Sequence, residues 1–500
     1  MAKTVIQNRF DGGIAEDLYT NATNECEVCT NFDIFTNPHK LLHHRDQISE
    51  LGSEINSLQI TDVGLTTIGG TTKLVAFGHD TSSTSLPASY TRDYYDMNGY
   101  WNQQQAVGAG GYTYCKGTYI QYGDYSFVLS VSGTGAGATF NLQKYTTAGS
   151  LTSVGTFTAP STSAVPRPYI HPDDKILYMC VGNTIAKYDI ATGTFSSSST
   201  ILPTGYMATS ITHFGGYLQI ALAPLLTGDS LMVSWGRDMT LNTLQASVNL
   251  GSLYLRVIEN LEGSIICVSS TNNSLTHGLD RKIEIKGYYG GDSYKVLKSI
   301  NISTASNPSV VKARKDDKLY FAVNGDTTVY CVAKNKTGRW VVTQDRLISP
   351  TGGAVSNIWA INFVGDYMYI AYLEGSTYKL SVTDGESSVP YTSTSVYRQS
   401  INCGMTEADK HLDKKLQYVE VTLEGVSGAL SSTLKYVVDG VVGTIQAKSN
   451  IANRNFTIKG IAESDGKPFK QGKDIQIQVE TTAGTNIKEI RYMYEPVNLI

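Results

Sequence analysis

Cys26 and Cys29 form a Cys-x-x-Cys pair, and His39, His43 and His44 follow closely. Thiolates with imidazoles are the donor set that zinc prefers. Nine residues separate Cys29 from His39, fewer than the usual dozen, and no second Cys-x-x-Cys pair completes the pattern. Gly133–Gly137 has the glycine content of a phosphate-binding loop, but it lies between strand-like runs. No helix follows whose N-terminus could hold a phosphate, so it reads as a hairpin tip. Asp173 with Asp174, and Asp316 with Asp317, are paired carboxylates. Glycoside hydrolysis would need the two groups facing each other about 5–9.5 Å apart across a sugar. Adjacent residues at a turn are explained more simply by side-chain hydrogen bonds that shape the turn. No nucleophile elbow, His-Glu-x-x-His helix or P-loop occurs, and His39, His43, His44, His79, His171, His213, His277 and His411 match no recognisable nucleophile. The chain is therefore read as non-enzymatic, with no catalytic, cofactor-binding or metal-binding residue assigned and no cofactor expected.

Composition narrows the class further. Charged residues make up 17% of the 500, below the usual quarter, while Gly (47) and Tyr (32) are high. This suits an all-β protein with many tight turns. Tyr also suits surfaces that meet proteins or sugars, because the ring is apolar and the hydroxyl polar. The net charge of −4 and the lack of any Lys/Arg cluster exclude a protein that grips nucleic acid. They fit a wall past which DNA slides without sequence-specific contact. The seven cysteines (Cys26, Cys29, Cys115, Cys180, Cys267, Cys331, Cys403) are odd in number and scattered, as expected of small buried apolar side chains in a reducing compartment. The N-terminus lacks the apolar core of a signal peptide, and no run approaches the length of a spanning helix, so the product is expected in the cytosol when made.

The elements that would position these residues recur. A polar turn followed by four or five mostly apolar residues appears at Gly70–Phe77, Tyr122–Leu129, Pro172–Met179, Phe214–Ala221, Leu261–Val268, Lys315–Ala322 and Val364–Ala371. Anchored at Thr72, Asp124, Asp174, Gly216, Gly263, Asp317 and Asp366, the spacings are 52, 50, 42, 47, 54 and 49. Strand-rich units at a period of roughly 40–50 are the pattern of β-propeller blades. Seven blades are favoured over six, with the first copy serving in ring closure if there are six. Ile176–Val181, a turn at Gly182 and Asn183, then a strand from Thr184 reads as a hairpin, and the copy near Asp317 repeats it with Asn324 and Gly325 in the turn. The predicted organisation is an N-terminal arm and hairpin at 1–50, a β-propeller at 51–395, and a C-terminal β-sandwich at 396–500. The propeller would carry a Tyr-rich insertion at 86–119. The sandwich would follow a short helix at Thr406–Lys414 and hold strands at Lys415–Leu423, Ser432–Asp439, Asn455–Ile461, Ile475–Glu480 and Ile487–Tyr494. Ser381, Asp384 and Gly385 form a fragment of the aspartate box of sialidases, present once rather than once per blade.

Three N-terminal phrases carry a family resemblance: Phe10–Ile14 with Asp17, Glu27–Ile34, and Lys40–Arg45. A glycine-pair arm leads to an Asn-x-Asp step (Asn31 to Asp33), a turn and a short basic strand. This resembles a recurring opening of tailed-phage structural proteins. The order arm, propeller, terminal sandwich looks like the tail hub or nozzle proteins of short-tailed bacteriophages. The chain departs from that pattern at Leu42, His43 and His44, where the family often has an apolar-basic turn with Pro and Gly. The resemblance implies a virion tail component that self-associates into a ring, with a hexamer favoured, and forms part of the conduit for DNA ejection. It would dock portal or adaptor proteins and tail fibre or spike proteins, with the arm donating a strand to a neighbouring chain. The rival reading is a receptor- or glycan-binding, or glycan-processing, adhesin that uses the Tyr-rich stretch as a sugar platform.

Overall fold

A computed structural model describes residues 3–10, 12–13, 26, 28–37, 39–40, 42–43, 47–50, 55, 58–80, 86–95, 100–106, 112–133, 137–159, 165–236, 244–271, 282–302, 310–323, 326–348, 355–384, 394–402, 405, 410–425, 430–451, 455–482 and 484–497. Strands dominate these residues. Two compact units are distinguished: Met1–Ile48 with Thr328–Ser349 and Thr383–Ile500, and Ser49–Thr327 with Pro350–Val382.

The second unit is a β-propeller of seven blades. Their first strands are Leu58–Ile68, Ile120–Tyr122, Tyr169–Ile170, Tyr206–Phe214, Tyr254–Leu261, Val310–Lys315 and Val355–Val364. Blades 1 to 5 are antiparallel sheets of four or five strands. Blade 6 contributes the hairpin Val310–Lys315 and Lys318–Val323 to this unit. Blade 7 takes Gln47–Glu50, a strand from before blade 1 in sequence, as its fourth strand. First strands of neighbouring blades lie side by side from blade 4 round to blade 7, from blade 7 back to blade 1, and from blade 1 to blade 2, while blade 3 meets the first strand of blade 4 through its second strand, Ile176–Val181. Blades 2 and 3 share one apolar cluster that includes Phe127, Leu129, Leu177 and Met179. The ring is therefore closed.

Turn chemistry explains why the repeated phrase is so regular. In six blades the first and second strands are joined by two residues, the first of which has positive φ: Gly69, Gly123, Gly215, Glu262, Asp316 and Gly365. This is the primed hairpin turn, whose twist matches that of the flanking strands and which favours Gly, Asn and Asp. Blade 3 has a longer connection, from Ile170 paired with Leu177, and places Lys175 at positive φ. The apolar phrase is the second strand of each blade, walled on both faces by neighbouring blades. Ser264–Ser270 is buried at every position, and Lys318–Val323 at every position after the first. Gly182 and Asn183 form the expected turn between Val181 and Thr184, whereas Asn324 and Gly325 lie outside the described residues.

The Tyr-rich stretch is not an insertion. Leu86–Asp93 and Asn102–Ala106 are the third and fourth strands of blade 1, and Tyr112–Tyr114 and Ile120–Tyr122 both pair with Tyr125–Ser132 of blade 2. Aromatic side chains fit the half-buried pleated surface of a sheet, and the ladder satisfies the backbone that a loop would have left to water.

The first unit is a β-sandwich. One sheet runs Lys3–Gln7, Thr485–Val497, Asp413–Gly425, Asn455–Gly460. The other includes Trp340–Leu347, Val28–Thr30, Ser395–Ser400, Ile475–Thr481, Leu430–Val438 and Val441–Ile451, in that order. Strict alternation of buried and half-buried residues along Ile475–Thr481 is that of a strand with one face inward. Val441–Ile451 was not expected as a strand. Lys410 is helical, within the short helix expected at Thr406–Lys414, but Asp413 and Lys414 open a strand, and 406–409 lie outside the described residues. Lys3–Gln7, the arm expected to pair with a neighbouring chain, instead pairs antiparallel with Thr485–Val497 of its own chain.

Leu319 has no exposed surface in the second strand of blade 6. Leu319→Asp places an unpaired carboxylate between blades. That cost is a large fraction of the total stability of about 5–15 kcal/mol, so the variant is expected to lose its cooperative thermal transition. A soluble variant that melts like the parent would contradict the blade assignment.

Candidate functional site

The polar centre of the propeller lies on its axis, where charged and polar side chains from several blades meet. Asp62, in the first strand of blade 1, is fully buried. Its carboxylate accepts hydrogen bonds from the backbone N–H groups of Val63 (2.9 Å) and Tyr119 (2.7 Å). Arg167, just before blade 3, places a terminal nitrogen 3.3–3.4 Å from both Asp62 oxygens. The same guanidinium donates to the Gly117 carbonyl (3.0 Å) and to Asn362 Oδ1 of blade 7 (3.4 Å). Asn362 in turn donates to the Val63 carbonyl. Burial pushes the Asp62 carboxyl upward, and Arg167 with the two backbone N–H groups only partly offsets it. Gly64 is required here by close approach, because a Cβ at that position would sit 1.8 Å from the Tyr119 ring.

A second polar group joins the other three blades. Lys312 of blade 6 donates to Glu259 Oε2 (2.7 Å) and the Ile258 carbonyl (2.8 Å) of blade 5, and to Ser210 Oγ of blade 4 (3.2 Å). Arg314 approaches the other Glu259 oxygen at 3.7 Å. Nearby, Tyr169 bonds His213 Nδ1, and Asn260 donates to the His213 carbonyl. The His171 and His213 rings meet edge-on at 5.2 Å. Burial, then the neighbouring His171 and Arg314, push the His213 imidazole downward, towards its neutral form.

Two cavities flank these groups along the axis, and Arg167 and Lys312 line both. The larger, 310 Å³, is lined by residues of all seven blades, among them Tyr119, Tyr169, Ile211, Glu259, Arg314 and Asn362. The smaller, 240 Å³, is bordered by Lys116, Arg256, Thr209, Ser210 and Ala360. Lys116 lies 4.5 Å from the centre of the Trp359 ring, and burial lowers its ammonium to about 8. Arg256 stacks over Tyr254 at 4.4 Å and donates to Ser270 Oγ, and burial lowers it to about 10.

The residues singled out from sequence sit elsewhere. Asp316 and Asp317 form the two-residue turn of blade 6. Asp174 accepts from Ile176 N and the Tyr178 hydroxyl, a local turn role. Cys26 donates its thiol to the Gly13 carbonyl at 3.3 Å, and Cys29 is wholly buried. His39 Nδ1 meets the Asn8 carbonyl, while His44 and the His43 side chain lie outside the described residues. No cluster of three metal-ligating side chains occurs among the described residues. Gly133 and Gly137 take positive φ at the end of a hairpin, and 134–136 lie outside the described residues. Ser381 bonds the Tyr372 hydroxyl inside blade 7, and Gly385 is outside the described residues, as are His277 and Cys403. No helix among the described residues is long and apolar enough to cross a membrane.

Removing the Arg167 charge leaves Asp62 buried and unpaired, an arrangement that costs about 3–5 kcal/mol. Arg167→Met is therefore expected to lower the thermal midpoint sharply, and adding Asp62→Asn should recover part of the loss; equal melting of all three proteins would refute the pairing. Lys116 gives a pH signature. Its folded value of about 8 lies below its ordinary value, so between those two values the unfolded chain binds more protons and folding gains stability as pH rises. Lys116→Met should raise the melting temperature at pH 7, and that advantage should shrink by pH 9.5. A difference independent of pH would contradict the burial of the ammonium.

No family model matches the chain, and no curated protein matches it. Among solved structures, the β-propeller domain of Cps50 (Swd1) from Myceliophteria thermophila is 11% identical, with a TM-score of 0.42, covering 67% of this chain and 98% of that one. A chain of the mitotic checkpoint complex is 8% identical, with a TM-score of 0.42 and coverage of 67% and 93%. An exo-β-1,3-galactanase from Phanerochaete chrysosporium is 10% identical, with a TM-score of 0.33, covering 98% of this chain and 100% of that one.

Proposed function

We propose that this chain is a structural virion protein of a tailed phage, a hub or nozzle subunit that assembles into a ring around the DNA path. The observation that carries the reading is the way the N-terminal phrases are built into the sandwich unit. Val28–Thr30 pairs with Ser395–Ser400 on one side and, in parallel, with Trp340–Leu347 on the other. Phe10 is buried edge-on against Tyr397, 5.6 Å between ring centres. Gly13 sits at positive φ, where a Cβ would come within 2.7 Å of the Val342 carbonyl. The segment that resembles phage tail proteins is thus a structural part of its unit and not an appended tail. Ile14 and Asp17 of the same phrase lie outside the described residues.

The axial groups also favour a structural role over catalysis. Glycoside hydrolysis needs a carboxylate that can reach a sugar. Asp62 has no exposed surface and is committed to Arg167, while Glu259 is committed to Lys312. The axial cavities also limit where DNA can pass. The larger has room for about ten waters at the volume of liquid water, far too little for a duplex. Any conduit therefore forms between copies of the chain and not through the propeller. In a closed ring such an interface joins two different surfaces of each subunit.

The adhesin reading draws on Tyr95 and Tyr100, which are 80% and 77% exposed on blade 1. Exposed rings of this kind suit either a sugar or a protein neighbour. Negative-stain imaging of the purified chain, alone and with connector proteins, separates the two readings. Rings of closed rotational symmetry are expected. Persistent monomers under both conditions, together with polysaccharide binding that Tyr95→Ala and Tyr100→Ala abolish, would favour the adhesin.

A further inference from the structure

The axis of this acidic protein is basic. Five cations, Lys116, Arg167, Arg256, Lys312 and Arg314, line the two cavities. Asp62 is paired with Arg167, and Glu259 with Lys312 and Arg314. The chain as a whole carries −4. The excess is concentrated at the 240 Å³ cavity, whose lining among the described residues includes Lys116, Arg167, Arg256 and Lys312 and no carboxylate. Low-dielectric walls around charges of one sign focus the field and raise the local concentration of the opposite ion.

Arg167 and Lys312 spend their donors on protein acceptors, as described above. Lys116 does not. Among the described residues its ammonium makes no hydrogen bond or ion pair, and its contact is the face of the Trp359 ring. The turn that carries it is fixed: Gly117 N donates to the Thr61 carbonyl at 2.8 Å, and the Thr118 hydroxyl bonds the Cys115 carbonyl at 2.9 Å. The ammonium is therefore positioned by structure and not by a flexible loop. Trp359, whose buried indole N–H has no partner among the described residues, backs the Lys116 ammonium and does not itself line the cavity. Buried polar groups are nearly always hydrogen-bonded, and Lys116, half-buried on the cavity wall, holds its charge there with no protein acceptor among the described residues.

We infer that the smaller axial cavity is a binding site for a small oxyanion, a phosphate or a carboxylate, with Lys116 as its principal charge partner. The cavity has room for about eight waters, enough for inorganic phosphate or citrate and too little for a polymer. Arg256 lines the same cavity and adds a second cation to its wall. The burial that lowers Lys116 is the cost that an anion in the cavity would relieve.

The test uses the full chain at pH 7, with ionic strength held constant by sodium chloride. Inorganic phosphate and citrate are titrated separately, followed by calorimetry and tryptophan fluorescence. Saturable binding with a rise in melting temperature is expected for at least one of them. Lys116→Met should weaken it about tenfold or more, the scale of a lost hydrogen bond to a charged group, and Lys116→Arg should retain it. Should Lys116→Met fail to fold, the same ligand should protect Lys116 from reductive methylation in the parent protein, read by peptide mass. The absence of saturable binding by either anion would overturn the proposal. So would undiminished affinity in a folded Lys116→Met variant, or a Lys116 that is methylated equally fast at saturating ligand.

Discussion

One guanidinium holds the start and the end of the propeller together. Arg167 precedes blade 3 and bonds groups from blades 1, 2 and 7: Asp62, the Gly117 carbonyl and Asn362. Closing a ring of sheets brings the first and last blades into contact after more than 250 residues of intervening chain, and the entropy of that closure must be offset by contacts made only in the closed form. Arginine suits the task because its planar fork presents five donors in fixed directions. Lysine at the same position could not reach three blades with defined geometry. The desolvation of Asp62 is the counterweight, and it is tolerated because two backbone N–H groups share the carboxylate with Arg167.

Lys312 does for blades 4, 5 and 6 what Arg167 does for the others. The two networks together touch every blade, and the apolar second strands fill the space farther out. This division of labour follows from geometry. Near the axis the first strands converge, and strand ends leave backbone groups that need partners. Farther out the sheets stack face to face, where close-packed aliphatic and aromatic side chains serve better. A polar centre inside an apolar ring is thus a consequence of radial packing, and its charge balance is set by which side chains are long enough to bridge.

What could be read from the sequence divides along the same line. The blade hairpins were legible because a two-residue turn imposes a local rule: positive φ at Gly123 or Asp316, then a run with walls on both sides. The same rule accounts for the adjacent aspartates without any chemistry. The axial networks were not legible, because Asp62, Arg167, Glu259, Lys312 and Asn362 share no motif and come together only once the ring closes. A faint signal was present. Thr212, Glu259, Lys312 and Asn362 each stand three or four positions before the turn, in first strands that mix apolar and polar residues. The Tyr-rich stretch misled because its strands are interrupted by Gly and Asn clusters, which resemble a loop when the pairing partner is unknown. Val441–Ile451 was missed for the reverse reason. Its neighbour Leu430–Val438 already satisfied the expected pattern, and the tight turn at Asp439 and Gly440 was not read as a hairpin.

The axial cations are hard to account for by stability alone. Arg167 and Lys312 repay their burial through bonds to several blades. Lys116 bridges nothing among the described residues, and its interaction with the Trp359 face is worth about 0.5–2 kcal/mol. A neutral side chain of similar length would fill the same space without the desolvation cost. Positions where a chain keeps an arrangement less stable than an obvious substitute are where function is expected to outweigh folding. The same reasoning separates the two parts of the propeller axis. The Asp62–Arg167–Asn362 group is what a closed ring needs, whereas the basic wall of the smaller cavity is more positive charge than closure requires.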